Sequence, residues 1–407
     1  MRQCESAYLR AFVARPESYC EMWCLRPLVV NDVRDGSDRD PNGRRNSVQR
    51  VVMSLLAVAL SVGLVEPCTV FKATNDGRTL VGNNEDWEDV PTRVWFLAPQ
   101  DGAFGRVLFG FINGWAQGGM NDQGLFLDWV AGYTTGWTRS PDLPDFFENI
   151  SEKILEEAST VDEALTLCAS FNIDGFAAAR MMLVDRGGRS AIVGFEDGRL
   201  RVWRSSTSMQ TIGARAETAN RMLRAGADIS VDGFADILSA CRLRGRFQTR
   251  YSNIYDLREG EVHVYDVAGN EHGVVLNLKA ELDKGNHYYD VAEIADQLMQ
   301  TPKVDHKTAE AVDISLASAA AISGTYRGSK STLRAVQITV EDGSLYLWPV
   351  AGEARRFRLY AGSEDVFFLR CIAGRFTARR DSDGRITGLL MEQAGHQNML
   401  ERIDASE

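Results

Sequence analysis

The sequence predicts an α+β protein followed by a separate all-β unit, and three observations carry that prediction. Apolar content is 44% and charged content 25%, the balance of a globular chain with a sizeable core. From Cys68 to about Gln300 short β-branched and aromatic runs alternate with segments of helical spacing. From Ile322 onward the texture changes to regular short strands with turns at Glu341-Asp342-Gly343, Ala351-Gly352 and Asp383-Gly384, which argues for a small antiparallel barrel or sandwich.

Residues 1–50 read as a disordered leader or extended start. They are rich in Arg and Asp, aperiodic, and carry Cys4, Cys20 and Cys24. Residues 51–67 read as a signal peptide with a short pro-segment. Val51–Val65 holds no charge, Arg44, Arg45 and Arg50 precede it, and Ser61 and Gly63 supply the small residues of a cleavage site. The apolar run is short for a membrane span, which needs about 20 residues. A secreted or periplasmic protein follows, with a signal around 44–63 and no stable membrane insertion after processing. Pro67 disfavours direct signal-peptidase release of Cys68.

Cys68–Thr74, the turn Asn75-Asp76-Gly77 and Arg78–Gly82 read as a β-hairpin. Further strands are expected over 93–97, 106–111, 125–130, 178–184, 190–195 and 200–203. Asp145–Glu157 has apolar residues at 146, 147, 150, 154 and 155, the spacing of a helix. A second helix is expected from Ser159 to about Phe171 with Asp162 as its capping-box acid. Helices near 217–225 and 233–241, a strand pair at 251–257 and 261–267, and a helix near 288–300 complete the first unit. This divides the chain into a catalytic domain over 68–305, a linker over 306–317 and a β domain over 318–405.

The composition also excludes classes of function. A net charge of −11 without a dense Lys/Arg run is a poor match to nucleic acid phosphates. The five His form no HxxxH pairing and the Cys no CxxC, so neither a metal nor another cofactor is expected. Oligomeric state is left open, a homo-oligomer included.

Chemistry concentrates at the start of the first strand. The hairpin brings the end of its second strand, Gly82-Asn83-Asn84-Glu85-Asp86-Trp87, beside Cys68. Were Cys68 to become the terminal residue, it would carry a thiol nucleophile and an α-amine. Such an amine titrates at about 7.7–8.0 and can serve as a general base near neutrality. Asp86 would orient the amine, and no triad histidine is needed. Cys168, Cys241 and Cys371 read as buried small hydrophobes.

The pattern Cys68-Thr-Val-Phe…Gly82-x-Asn84-x-Asp86 resembles the N-terminal-nucleophile (Ntn) hydrolases of the linear-amide type: choloylglycine hydrolases, penicillin V acylases, acid ceramidase-like amidases and isopenicillin N acyltransferases. Gly118-Gly119-Met120-Asn121-Asp122-Gln123-Gly124-Leu125 is similar to their G-M-N-E-K-G-L segment, and Thr249–Leu257 to a late core strand. The resemblance spans Cys68 to about Val267. It implies an αββα sandwich and hydrolysis of a linear, non-peptide C–N amide bond in a small acylated substrate.

On that resemblance Cys68, Asp86, Asn83 and Asn121 are the candidate catalytic residues, with Trp87, Trp129 and Ser252 as candidate substrate contacts. Two departures bear on activity. Asn83 stands where bile salt hydrolases carry Arg. Thr211-Ile212 and Ala131 lack the Asn residues that the family places near the oxyanion, leaving Asn113, Asn121 or backbone N–H groups as donors. Two other readings follow: a non-catalytic small-ligand-binding protein on the same fold, and an acyltransferase using the same Cys.

Overall fold

The computed structural model describes residues 68–133, 135–205, 207–245, 247–266, 273–328, 335–349, 356–393 and 396–403. The expected leader, signal peptide and pro-segment lie outside these residues.

The chain opens with the expected hairpin, β1 (Thr69–Thr74) and β2 (Thr79–Trp87). Asn75 closes the turn by accepting from the N–H groups of Gly77 and Arg78 at 3.0 and 2.7 Å. Strands β3 (Thr92–Leu97), β4 (Arg106–Phe111), β5 (Ala116–Asn121) and β6 (Phe126–Ala131) then run as an antiparallel meander. Helices α1 (Ile150–Glu157) and α2 (Val161–Ala169) follow, then β7 (Ala179–Val184), β8 (Ser190–Glu196), β9 (Arg199–Arg204) and β10 (Met209–Gly213). Helices α3 (Ala216–Arg224) and α4 (Val231–Cys241) lead to β11 (Gln248–Asp256), β12 (Glu261–Asp266) and β13 (Val274–Asn277). A short α5 (Leu278–Leu282), β14 (His287–Asp290) and a single turn, α6 (Ile294–Gln297), end this part.

These strands form two antiparallel sheets. One has six strands in the order β10-β1-β2-β11-β12-β13, the other eight in the order β14-β3-β4-β5-β6-β7-β8-β9. Period-2 alternation divides their side chains cleanly. Val70, Val81, Tyr251 and Tyr255 of the first sheet pack with Val94, Phe109, Phe126 and Val130 of the second in one core. The opposite face of the first sheet, with Phe71, Ala73, Leu80 and Ile254, packs on α3 and α4 through Leu223, Phe234 and Leu238. The opposite face of the second, with Leu127, Trp129 and Leu183, packs on α1 and α2 through Ile154, Leu155 and Leu165.

Helix α7 (Leu316–Ile322) precedes a closed eight-stranded barrel running in chain order from β15 (Gly324–Gly328) to β22 (His396–Ile403), where β22 pairs back onto β15. Apolar side chains fill it, among them Ile338, Leu347, Leu359, Phe367, Phe376 and Leu400, and Ala319 and Ile322 of α7 pack on the same core.

Several element boundaries differ from expectation. Helix α1 starts at Ile150 rather than Asp145, because Asn149 caps it by accepting from Ser151 N. The cap of α2 is Thr160, not Ser159, its side chain accepting from Glu163 N, and Glu163 rather than Asp162 reaches back, to accept from Ser159 N at 2.7 Å. The helix expected near 288–300 begins as the strand β14 and is helical only over 291–297, as a 3-10 turn followed by α6. Tyr288 and Tyr289 alternate across a sheet edge there, pairing with Trp95 and Val94 of β3. Strands β5, β10 and β13 lie where no strand was expected. Helix α7 starts at Leu316, at the end of the stretch expected as linker, and runs into the part expected as the β domain.

Candidate active site

The site is built at one end of the six-stranded sheet. Register pairs Thr69 with Asn84 and Val70 with Asn83, so the next step places Cys68 opposite Glu85. On the other side of β2, Glu85 pairs with Tyr251 and Asn83 with Asn253. Alternation then sorts the side chains. Cys68, Asn83, Glu85, Tyr251 and Asn253 face the space between the sheets, together with Asp128 from β6. Asn84, Asp86 and Ser252 belong to the opposite, helix-covered side.

Asp86 nevertheless reaches Cys68. Its Oδ2 accepts from the Cys68 nitrogen at 3.1 Å, and its Oδ1 accepts from Thr249 Oγ1 at 2.5 Å. A β-bulge makes the second contact. Between Thr249 and Tyr251 the register of β11 slips by one residue at Arg250. The slip turns Thr249 to the side of Asp86 while Tyr251 keeps facing the inter-sheet core, the re-aiming that bulges provide. Burial pushes the Asp86 carboxyl up to about 6, against the pull of the Thr249 hydroxyl, the Cys68 N–H and the Arg215 and Arg242 charges.

Cys68 is 4% exposed and its φ is +68°, a left-handed conformation costing an L-residue about 1–2 kcal/mol. Its carbonyl accepts from Ala214 N at 3.0 Å. Burial, then the Glu85 and Asp86 charges, push the thiol well above its ordinary range. Glu85 is 3% exposed, and its own carboxyl is pushed well up by burial and by the Asp128 and Asp86 charges. Asp128 is likewise raised by burial.

Four buried oxygens in this row have no hydrogen-bond partner: Asn83 Oδ1, Glu85 Oε2, Tyr251 Oη and Asn253 Oδ1. Two of the four, the amide oxygens of Asn83 and Asn253, only accept, while the Tyr251 hydroxyl and the Glu85 carboxyl, whose protonated form burial favours, can also donate.

The candidate residues divide accordingly. Cys68 and Asp86 meet as expected. Asn83 joins the same face, but its amide N–H is spent on Asp128 Oδ2 at 2.7 Å. Asn121 is corrected. Its Nδ2 donates to the carbonyls of Leu155 and Ala158 at the end of α1, and its Oδ1 accepts from Gln123 N and Leu125 N. Every bond it makes closes a turn or a helix end, and it has no capacity left for an oxyanion. Trp129 is also corrected: it lies on the helix-facing side of its sheet, with Nε1 on Ser151 Oγ at 2.8 Å and its ring against Phe176. Ser252 donates to Asn84 Oδ1 at 2.6 Å, and Asn84 donates on to the Leu238 carbonyl of α4, a buried stitch on the far side from the sulfur. Trp87 stands at the end of β2 beside Phe111 and Phe247, centroids 5.9 and 6.2 Å away. Asn113 uses its Oδ1 on Trp115 N.

Glu85, Asp128 and Tyr251 join this row without having been expected there from the sequence, whereas Thr249 was expected near the site together with Ser252. Strand parity from Cys68 would have found Glu85. The bulge that brings in Thr249 has no sequence signal of comparable strength. Cys168, Cys241 and Cys371 are buried and free, and burial pushes each thiol up.

No protein-family model and no curated protein matches this chain. Among solved structures, penicillin V acylase from Agrobacterium tumefaciens aligns at 16% identity and a TM-score of 0.40, covering 51% of this chain and 90% of that one. Two variants of the conjugated bile acid hydrolase from Clostridium perfringens align at 16% and 15% identity with TM-scores of 0.46 and 0.47, each covering 55% of this chain and 97% and 96% of theirs.

Proposed function

We propose that the protein is a cysteine amidohydrolase of the Ntn type, on an αββα catalytic domain over 68–305. It cleaves the linear C–N amide bond of a small acylated substrate with Cys68 as its N-terminal nucleophile. One observation carries the reading: the nitrogen of Cys68, which becomes the α-amine once the bond before it is cut, is held 3.1 Å from Asp86, itself tethered by Thr249.

The chemistry runs through that residue alone. The freed α-amine takes the thiol proton, and the thiolate attacks the amide carbonyl carbon. The amine then passes the proton to the leaving nitrogen as the C–N bond breaks. Water attacks the resulting thioester, the acyl group leaves as carboxylate, and the thiol is restored. Asp86 stabilises the ammonium form and fixes its direction. The thiol is closed off from solvent in the uncut chain, so the reading requires that release of the new terminus opens a path to the sulfur. It further places the mature protein in a secreted or periplasmic compartment and gives the barrel over 318–405 a structural role.

Intact mass and N-terminal sequencing of the secreted protein, with labelling by an activated acyl ester, test the reading. The mature chain is expected to start at Cys68 and to gain one acyl group there, and Cys68→Ala to gain none. An active form that starts upstream of Cys68 sinks it.

A further inference from the structure

Strand parity fixes what lies beyond the sulfur. Glu85 faces the inter-sheet space beside Cys68, and two residues further along β2 Trp87 takes the same face, at the end of the strand. From the second sheet, Phe111 ends β4 on the face that also carries Phe109, and its ring lies 5.9 Å from that of Trp87. Phe247, just before β11, joins them with its ring 6.2 Å from that of Trp87. Three rings thus stand at the end of the inter-sheet space where Cys68 sits. Trp87 and Phe247 are half-buried, and Ile112, next to Phe111, is exposed.

The loop that carries Phe111 is held from the barrel. Residues 112–115 join β4 to β5 in a tight turn, in which Gly114 N donates to the Phe111 carbonyl at 2.9 Å and Trp115 N to Asn113 Oδ1 at 2.9 Å. One side of the loop is fixed within the two-sheet part, where Ile112 N donates to the Pro91 carbonyl at 3.1 Å. The other side meets the turn between β19 (Val366–Leu369) and β20 (Gly374–Arg380), where Ala373 N donates to the Asn113 carbonyl at 2.6 Å. The approach leaves no room for a methyl group. Gly114 has φ +87°, and a Cβ there would lie 2.4 Å from His306 Nε2 and 2.9 Å from Ala373 N. The barrel turn is itself anchored, since Lys307 donates to the Arg370 carbonyl at 2.9 Å and to Glu152 of α1.

We propose that the barrel sets the acyl preference of the site: through the contact of Ala373 with the loop between β4 and β5 it positions Phe111 against Trp87, and these rings receive an alkyl or aryl acyl chain whose carbonyl carbon lies at Cys68 Sγ. The inference rests on Cys68 being the nucleophile, and it takes the barrel beyond a packing role. Half-buried rings release water when an apolar chain covers them, so they select by apolar area and not by hydrogen bonds. Successive residues on one face of a strand are about 7 Å apart, so an acetyl group on the sulfur stops short of Trp87 whereas an octanoyl chain reaches it. Ala373 and Gly114 are positioning residues: neither touches the chain, and each acts through Phe111.

The test uses the full chain with a protease site in place of Leu64–Pro67, whose cleavage leaves Cys68 first and gives the cut form. The probes are p-nitrophenyl acetate and p-nitrophenyl octanoate, and acylation of Cys68 is followed by intact mass against probe concentration. Cut wild type is expected to favour the octanoyl ester. Ala373→Pro, which removes the N–H, is expected to lower that preference about tenfold through the half-saturating concentration of the octanoyl ester, with acetylation within about threefold of wild type. Gly114→Ala presses on the same contact from the other side; it is expected to do the same and serves if the proline variant does not fold. Phe111→Ala is expected to lose the preference by itself, and adding Ala373→Pro to it to change nothing further, because both act on one contact. A folded Ala373→Pro or Gly114→Ala that keeps the wild-type preference overturns the proposal. So do a wild type that takes both acyl groups alike, equal losses for the two probes, and full additivity with Phe111→Ala. A cut wild type that neither probe acylates is a different result: it removes the amidohydrolase reading itself, whatever the barrel does.

Discussion

At the scale of single residues, the site separates two carboxylates by strand parity. Asp86 and Glu85 are adjacent in sequence, yet one serves the nitrogen of Cys68 and the other faces its sulfur. Their electrostatics carry a stability consequence. An aspartate ordinarily titrates near about 3.9, whereas Asp86 does so at about 6 in the fold. Above pH 6 both folded and unfolded chains carry the charge, and the fold bears the cost of burying it. As pH falls from about 6 to about 4 the folded chain binds the proton first, so stability rises toward acid. The difference amounts to about 3 kcal/mol at most. Urea unfolding of the uncut chain at pH 4.5 and pH 7 is expected to show a fall toward neutral pH that is smaller in Asp86→Asn, while acylation of Cys68 in the cut form drops about a hundredfold. An unchanged acylation rate in that variant would show that the Asp86 contact is only structural.

At the scale of elements, position depends on β1 being clamped between β2 and β10. Gly213 of β10 has φ +107°, and a Cβ there would lie 2.2 Å from the Cys68 carbonyl oxygen. That carbonyl also accepts from Ala214 N. Gly213→Ala is therefore expected to push the Cys68 backbone away from Asp86. Labelling of Cys68 in the cut form should fall at least tenfold while the circular dichroism of the two sheets persists. Labelling at the wild-type rate would mean that β1 can shift without harm to the site. The hairpin that makes this clamp was legible in the sequence, because Asn75-Asp76-Gly77 between two alternating runs is a local turn signal. The bulge at Arg250 was not. It depends on how β11 meets β2, a pairing of residues more than 160 positions apart in sequence.

At the scale of the whole molecule, the barrel is fastened to the two-sheet part by a small polar seam. Lys307 is fully buried and donates to Glu152 Oε1 of α1 at 2.5 Å and to the Arg370 carbonyl at 2.9 Å. Ala373 N donates to the Asn113 carbonyl at 2.6 Å, and Arg358 N to Glu148 Oε1 at 3.1 Å. Removing one partner of a buried ion pair leaves the other uncompensated, at a cost of about 3–5 kcal/mol. Lys307→Ala is expected to split thermal unfolding into two calorimetric transitions, with the barrel's separated from that of the sheets. A single transition at the wild-type midpoint would mean that the seam contributes little.

Taken by itself, the amino-acid sequence determined the hairpin, the partnership of Cys68 with Asp86, and the change to an all-β unit after Ile322. Each is a matter of local turn chemistry and periodicity, which neighbouring residues dictate. Which candidates reach the sulfur was decided only by the tertiary structure. Asn121 and Trp129 lie in segments that looked suited to a site, yet packing against α1 used up their polar groups. Glu85 attracted no notice beside Asp86 until the pleat of β2, matched in register to β1, turned it toward the thiol. Strand pairing across the sheet sets which face a side chain takes, and short-range preference does not encode that choice.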